Sequence, residues 1–321
     1  MLAPALLAGC AGGQQSQPEG TPSPEGARQG PLSVYASFYP MYDFAVKIGG
    51  ERVNAVNMVP AGVEPHDWEP GAADMVGLES ADVFIYNGAG MEHWAEDILE
   101  SLQNPGLVAV EASAGIPLME GHDDHGDDHG EEEEEEEEGD HEDDHEDGEF
   151  DPHVWLDPQR AKTEMLNIRD AFKKADPEGA AVYDANYNKY AAQLDELDGE
   201  FSDALAAFSG RDIIVAHEAF GYLCAAYGLN QVPIEGLSPD SEPDPARMAE
   251  IIEFAAQRDI KVIFFEELVS PKVAETIAEA VGAQTDVLNP FEGPGDDDSG
   301  GGDDYFAVMR SNLAALIRAL G

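Results

Sequence analysis

Residues 32–60 read LSVYASFYPMYDFAVKIGGERVNAVNMVP, and this stretch decides the fold class. LSVYASFYP reads as a strand ending at Pro40. In MYDFAVKIGG the apolar residues Met41, Phe44, Ala45 and Ile48 recur at helical spacing, and Gly49-Gly50 stops the helix. RVNAVNMVP reads as a second strand. Strand, helix, strand is the repeating unit of a parallel sheet with helices on its faces. The alternation continues through the short helix AADMVGLESA, the buried-looking strand DVFIYNG, the amphipathic MEHWAEDILESL and the strand LVAV. Residues 32–118 are therefore expected to form an N-terminal α/β lobe.

The second half repeats the alternation. Asp157-Pro158 has the form of a helix cap followed by a first-turn proline, and a helical pattern runs from there to Asp176. A second helix, from Ala180 to about Phe208, carries Tyr183, Tyr187, Tyr190, Leu194, Leu197, Phe201 and Leu205 three and four residues apart. From Asp212 the pattern gives the strand DIIVA running to His217, the helix EAFGYLCAAYG, a turn-rich loop (234–245) and the helix PARMAEIIEFAAQR. The strand KVIFFE, the helix SPKVAETIAEAVG, the strand TDVLNP, a Gly/Asp loop (293–304) and the helix YFAVMRSNLAALIRAL close the chain. The expected fold is α/β: two lobes with mainly parallel sheets, joined by a long linking helix. Residues 151–176 supply the last N-lobe segment and the linking helix, and residues 177–321 the C-terminal lobe. No internal repeat is strong enough to use.

Between the lobes lies an acidic, His-rich tract, residues 119–150. It holds His122, His125, His129, His141 and His145 and eight consecutive glutamates, 131–138. Such a block cannot bury enough apolar surface to offset ordering entropy, so no structure is assigned to it. Its histidines read either as weak, exchangeable metal ligands or as incidental members of a solubilising acidic segment. Net charge is −51, and outside residues 120–151 there are still 46 acidic residues against 16 basic ones. Nucleic acid and anionic membrane surfaces are poor partners for such a chain, and cations are natural ones. No stretch reaches the roughly 20 apolar residues of a membrane span. Leu7-Ala8-Gly9-Cys10 has the form of a bacterial lipobox, although the usual basic residues before the apolar run are missing. Residues 1–10 then read as a signal remnant with Cys10 as the lipidation site, and 11–31 as a flexible linker. The only other cysteine is Cys224, so no disulfide is expected.

Three histidines stand apart from the acidic tract: His66 in AGVEPHDWEP, His153 in DPHVWLDP and His217 at the end of DIIVA. Each lies in a loop or at the carboxyl end of a predicted strand, where ligands bind in open α/β sheets. Asp286, in TDVLNP, could add a carboxylate, and three neutral imidazoles with one carboxylate suit Zn²⁺. Proline before His66 and before His153 fixes the local backbone. Glu64, Asp67, Glu69, Asp151 and Asp157 could accept the free ring N–H groups. Spacing alone is weak support, because the histidines are about 60 to 90 residues apart. His217-Glu218 invites comparison with an H-E-x-x-H motif, but Gly221 stands where its second histidine would be. Core or loop-capping histidines are the plainer alternative on residues alone. His93 reads as a helix-face residue. Trp155, Phe220 and Tyr222 read as packing around the site. Glu266-Glu267 could face the ligands, start a helix or line the lobe interface.

The motifs YASFYPMYDFAVKIGG, PHDWEP, DPHVWLDP, AHEAFGYLCAAYGL, IEGLSPDSEPDPARM, VIFFEELVSPKVAETIAEAVGA and YFAVMRSNLAAL together span nearly all of residues 33–320. In them the chain resembles the cluster A-I, ZnuA-like metal-binding lipoproteins of ABC importers. The resemblance implies a metal site in the cleft between the lobes, with ligands at His66, His153, His217 and Asp286. It also implies an extracytoplasmic, non-enzymatic zinc-binding protein that delivers Zn(II) to an ABC permease. The expected protein is a monomer that meets the membrane only through an N-terminal lipid anchor, on the outer face of the cell membrane or in a periplasm. Manganese-binding members place glutamate where His217 stands, which favours zinc. A zinc-dependent hydrolase or hydratase, or a surface adhesin or zinc buffer, would be the readings from other classes.

Overall fold

The structure is a computed structural model and describes residues 30–121, 150–239, 243–294 and 304–321. Cys10, residues 11–29 of the linker and the five histidines of the acidic tract lie outside the described residues.

Two four-stranded, all-parallel sheets carry the fold. The first has the order β2-β1-β3-β4 and the second β6-β5-β7-β8, so the two lobes share one strand order. The N-terminal sheet comprises β1 (Leu32–Ala36), β2 (Val53–Asn57), β3 (Val83–Tyr86) and β4 (Val108–Glu111). Helices α1 (Tyr39–Gly49), α2 (Ala72–Leu78) and α3 (Ala95–Ser101) connect them. In the second lobe β5 (Asp212–Val215), β6 (Asn230–Pro233), β7 (Val262–Phe265) and β8 (Gln284–Val287) alternate with α6 (Gly221–Tyr227), α7 (Pro245–Arg258) and α8 (Lys272–Val281). The chain closes with α9 (Tyr305–Leu320).

Two long helices follow the first sheet, α4 (Pro158–Ala175) and α5 (Ala180–Leu205). Asp157 caps α4, its side chain accepting from Gln159 N at 2.8 Å, and Pro158 takes the first turn, as the sequence predicts. Helix α4 packs on α1, β3, β4 and α5, within the first lobe. Helix α5 touches α1 and α4 at one end and α6 and α9 at the other, so α5 is the span that reaches across.

The main hydrophobic core does not stop at the lobe boundary. One continuous cluster runs from Leu32, Val34 and Phe44 through Trp155, Leu194 and Phe201 to Phe220, Phe291, Tyr305 and Leu316. Trp155 pins its two halves together. Its indole Nε1 donates to Pro290 O at 2.7 Å, and its own carbonyl accepts from Tyr305 Oη at 2.7 Å. Smaller clusters lie under α7 and α8 and around Trp94.

Several boundaries differ from the sequence reading, each for a local reason. Pro40 sits in the first turn of α1 and does not end β1. Met91–Trp94 form turns before α3 starts at Ala95. Strand β6 falls in LNQVP, a stretch to which the sequence reading assigns no element. It is short, half-exposed, at the sheet edge and ends in Pro233, so neither alternation nor a buried run marks it.

Candidate metal centre

In each sheet the chain turns one way after the first strand and the other way after the third, so the crevice opens between β1 and β3 and between β5 and β7. His217 follows β5 and Glu266 follows β7, so both stand at the second lobe's crevice. Glu266 Oε1 accepts from His217 Nδ1 at 2.6 Å and from its backbone N at 3.3 Å. The carboxylate fixes the ring's tautomer and leaves Nε2 facing the cleft. Glu267, the next residue, faces elsewhere and accepts from Asn289 Nδ2.

His153 is placed by the first lobe. Asn87, just past β3, donates from Nδ2 to Pro152 O at 2.9 Å. Asp151 Oδ1 accepts from His153 N at 2.9 Å and from His153 Nδ1 at 2.7 Å, so the Nε2 of this ring also faces inward. The ring lies 5.3 Å from that of Trp155. Asp157 takes no part: it caps α4 and pairs with Arg160.

His66 rides on the loop after β2. Pairing with β1 continues to Val59, after which turns at Pro60–Val63 and Pro65–Trp68 carry the imidazole over the crevice. This loop touches the other lobe directly, Gly62 N donating to Pro294 O at 3.2 Å. Of the three acids beside His66, Glu64 accepts weakly from His66 N (3.4 Å), and Glu69 pairs at the surface with His93, also at 3.4 Å.

The structure brings His66, His153, His217 and Glu292 together, with one ligand atom of each lying within 4.8 Å of all the others. His153 Nε2 is 3.3 Å from His66 Nε2 and 3.3 Å from His217 Nε2. Glu292 Oε1 lies 3.0 Å from His153 Nε2 and 3.4 Å from each of the other two. Neither Glu292 oxygen has hydrogen-bond geometry to a donor among the described residues. The four atoms crowd together without hydrogen bonds to Glu292 that would account for it. For zinc–nitrogen bonds of about 2.0–2.1 Å, the edge of a regular tetrahedron is about 3.3 Å. Five of the six separations, 3.0–3.4 Å, are close to that edge, and the sixth, between His66 and His217, is within 4.8 Å.

Asp286 is not in this group, which corrects the sequence reading. It lies within β8, in register with Phe264, and its Oδ2 accepts from Arg318 Nη2 of α9 at 2.7 Å. A ligand must project beyond the sheet's carboxyl edge, and Asp286 is still inside it. Glu292, in the loop past β8, satisfies that rule as the three histidines do, and its position after a strand end is the signal that marks it.

Electrostatics follow from enclosure. His153, His217 and Glu292 are buried, and His66 nearly so. Burial holds His66 below the ordinary histidine value. Burial opposes charging of His153 and His217 too, but Asp151 and Glu292 outweigh it at the first and raise its pKa. Glu266 and Glu292 outweigh it at the second and hold His217 well above the ordinary value. At Glu292 burial is overcome by the charge of His217 and the surrounding imidazoles, which keep the carboxyl well below the usual range. Glu64, half-buried and facing the charge of Glu292, is pushed up to about 8.

Two parallel-sheet lobes with a buried nitrogen-and-oxygen donor cluster at their junction define a two-lobed binding protein. The family described as "Zinc-uptake complex component A periplasmic" (ZnuA) matches residues 34–319, and the chain belongs to it. The high-affinity zinc uptake system protein ZnuA of Bacillus subtilis (strain 168) is 42% identical over 285 residues, 89% of this chain and 86% of that protein. The zinc-binding protein AdcA of Streptococcus pyogenes serotype M3 is 38% identical over 290 residues. That match covers 90% of this chain but 56% of AdcA, so the chain spans about half the length of that relative. The Zn(II)-bound ZnuA-like domain of Streptococcus pneumoniae AdcA shares the fold with a TM-score of 0.74 at 34% identity, over 91% of this chain and 99% of that one.

Proposed function

We propose that this chain is an extracytoplasmic receptor that captures Zn(II) with His66, His153, His217 and Glu292 and hands it to an ABC permease. One observation carries the reading: four donor atoms lie within 4.8 Å of one another, and five of their six separations are 3.0–3.4 Å, close to the edge of a zinc-sized tetrahedron. Three imidazoles and a single carboxylate favour zinc over manganese, which prefers oxygen-rich sites. Glu292 supplies a fourth protein donor where a hydrolytic zinc site keeps an open position, which argues against a hydrolase or hydratase. The zinc-uptake names of the relatives support the same reading.

Capture replaces protons with metal. Zinc competes with protons for the ring nitrogens, while Asp151 and Glu266 hold the Nδ1 sides of His153 and His217 and orient their Nε2 atoms. Zinc is the cargo, and its release to the permease is the counterpart of this exchange. We further propose a lipid anchor at Cys10, a monomeric state, and weak exchangeable zinc binding by His122, His125, His129, His141 and His145. The division into residues 1–10, 11–31, 32–118, 119–150, 151–176 and 177–321 belongs to the same proposal.

Calorimetric zinc titration tests the reading. The wild-type protein should show one tight site together with weak ones. Deleting residues 121–149 should remove only the weak ones, and His217→Ala should abolish the tight one. A tight site that survives His217→Ala would refute the assignment.

A further inference from the structure

We propose that Asn312, on α9, is a positioning residue that aims the Glu292 carboxylate into the metal cluster. The proposal rests on the zinc reading above. Neither oxygen of Glu292 has a hydrogen-bond donor among the described residues; the three imidazole nitrogens stand 3.0–3.4 Å from Oε1, and the nearby Glu64 carboxyl only repels its charge. The aim of the carboxylate is therefore set by its backbone.

That backbone is in an unfavourable conformation. Phe291, the residue before Glu292, has φ +64°, in the left-handed region that a bulky L-residue seldom occupies. Such a conformation persists only where its surroundings over-determine it. Here three contacts do so. Asn289 Oδ1 accepts from Phe291 N at 2.7 Å, closing a tight turn. Pro290 O accepts from Trp155 Nε1 at 2.7 Å. The Phe291 ring is wedged against Tyr39 (5.1 Å) and Tyr305 (5.5 Å).

Asn312 anchors the start of this turn. It is buried, and its carboxamide meets both backbone groups of Asn289. Oδ1 accepts from Asn289 N at 2.9 Å, and Nδ2 donates to Asn289 O at 2.7 Å. A single amide thus fixes the residue whose own side chain holds Phe291, and Phe291 points Glu292. Both hydrogen bonds of Asn312 go to Asn289 and neither to a metal ligand, so it acts through the turn.

A double-mutant cycle tests this. Zinc affinity is measured by competition with a chelating dye for Asn312→Leu, which is similar in size but forms neither bond. It is measured again for Asn289→Ala, at a half-buried position that carries the same test if the Leu variant does not fold. Each variant is made in the wild-type and in the Glu292→Gln background. Both should weaken zinc binding about tenfold or more in the wild type and less than about twofold in the Glu292→Gln background, where the carboxylate they aim is gone. The Co(II) visible spectrum should shift in the first background only. Equal losses in both backgrounds, no loss in the wild type, or an unchanged affinity for Glu292→Gln alone would overturn the proposal. Absence of tight zinc binding by the wild-type protein would instead remove the reading on which it rests.

Discussion

At the scale of single residues, the two carboxylates of the β8 region separate function from support. Glu292→Gln should weaken zinc binding about 10-fold to 100-fold, because a neutral amide replaces the one charged donor. Asp286→Asn should leave zinc affinity within about twofold and cost at most about 1 kcal/mol in urea denaturation, since its partner Arg318 is more than half exposed. A zinc titration of both variants checks the pair, and a large loss at Asp286 would contradict the assignment. The histidines are legible in the sequence because each stands in a short motif, in a loop or at a strand end. Glu292 is not, because a plainer carboxylate stands six residues earlier, inside the strand.

The pH dependence is also set by single groups. The folded pKa of His217 lies well above the ordinary value of about 6.5, through its carboxylate neighbours. In the metal-free protein the charged imidazole therefore adds stability that is fully present below about pH 6.5 and is lost as pH rises through the folded value. Zinc competes with that proton. The rise in Tm on adding zinc should be small near pH 5 and grow steadily through and above about pH 6.5. Differential scanning calorimetry with and without zinc measures it, and a zinc-induced gain that shrank as pH rose would be the wrong sign.

At the scale of elements, the short helical turn at Val154–Leu156 has consequences out of proportion to its length. It carries Trp155 into the common core and sets His153 at its start. Trp155→Phe leaves Pro290 O, in the turn before Glu292, without its indole donor, and removes buried apolar volume. The expected loss is about 1–3 kcal/mol of stability by denaturant titration, with weaker zinc binding as well. Helices α7 and α9 are legible in the sequence at the observed bounds, because proline-led or acid-capped starts frame a clear period. Strand β6 is invisible there because an edge strand of four residues ending in proline has no period to detect. Contact across the lobes, such as Gly62 with Pro294 or Trp155 with Pro290, is beyond any reading of the sequence. Neither partner's local pattern names the other.

At the scale of the molecule, the two sheets are separate but the core is shared. A continuous apolar cluster runs through both lobes and α5 bridges them, so hinge closure around the ligand would require breaking buried packing. Apo and zinc-loaded forms should give nearly superimposable small-angle scattering profiles. A change in radius of gyration of the size seen for domain closure would contradict the shared core. The long connecting helices already indicate this stiffness in the sequence, although the reading there puts the link on α4, whereas α5 makes the crossing.

The central claim is that three imidazoles and one carboxylate from both lobes hold a single zinc ion. Zinc K-edge X-ray absorption on protein loaded with one equivalent tests it most directly. Four nitrogen and oxygen neighbours at about 2.0–2.1 Å, with outer-shell scattering from three imidazole rings, is the predicted spectrum. A six-coordinate shell, or scattering from fewer than three imidazoles, would contradict it.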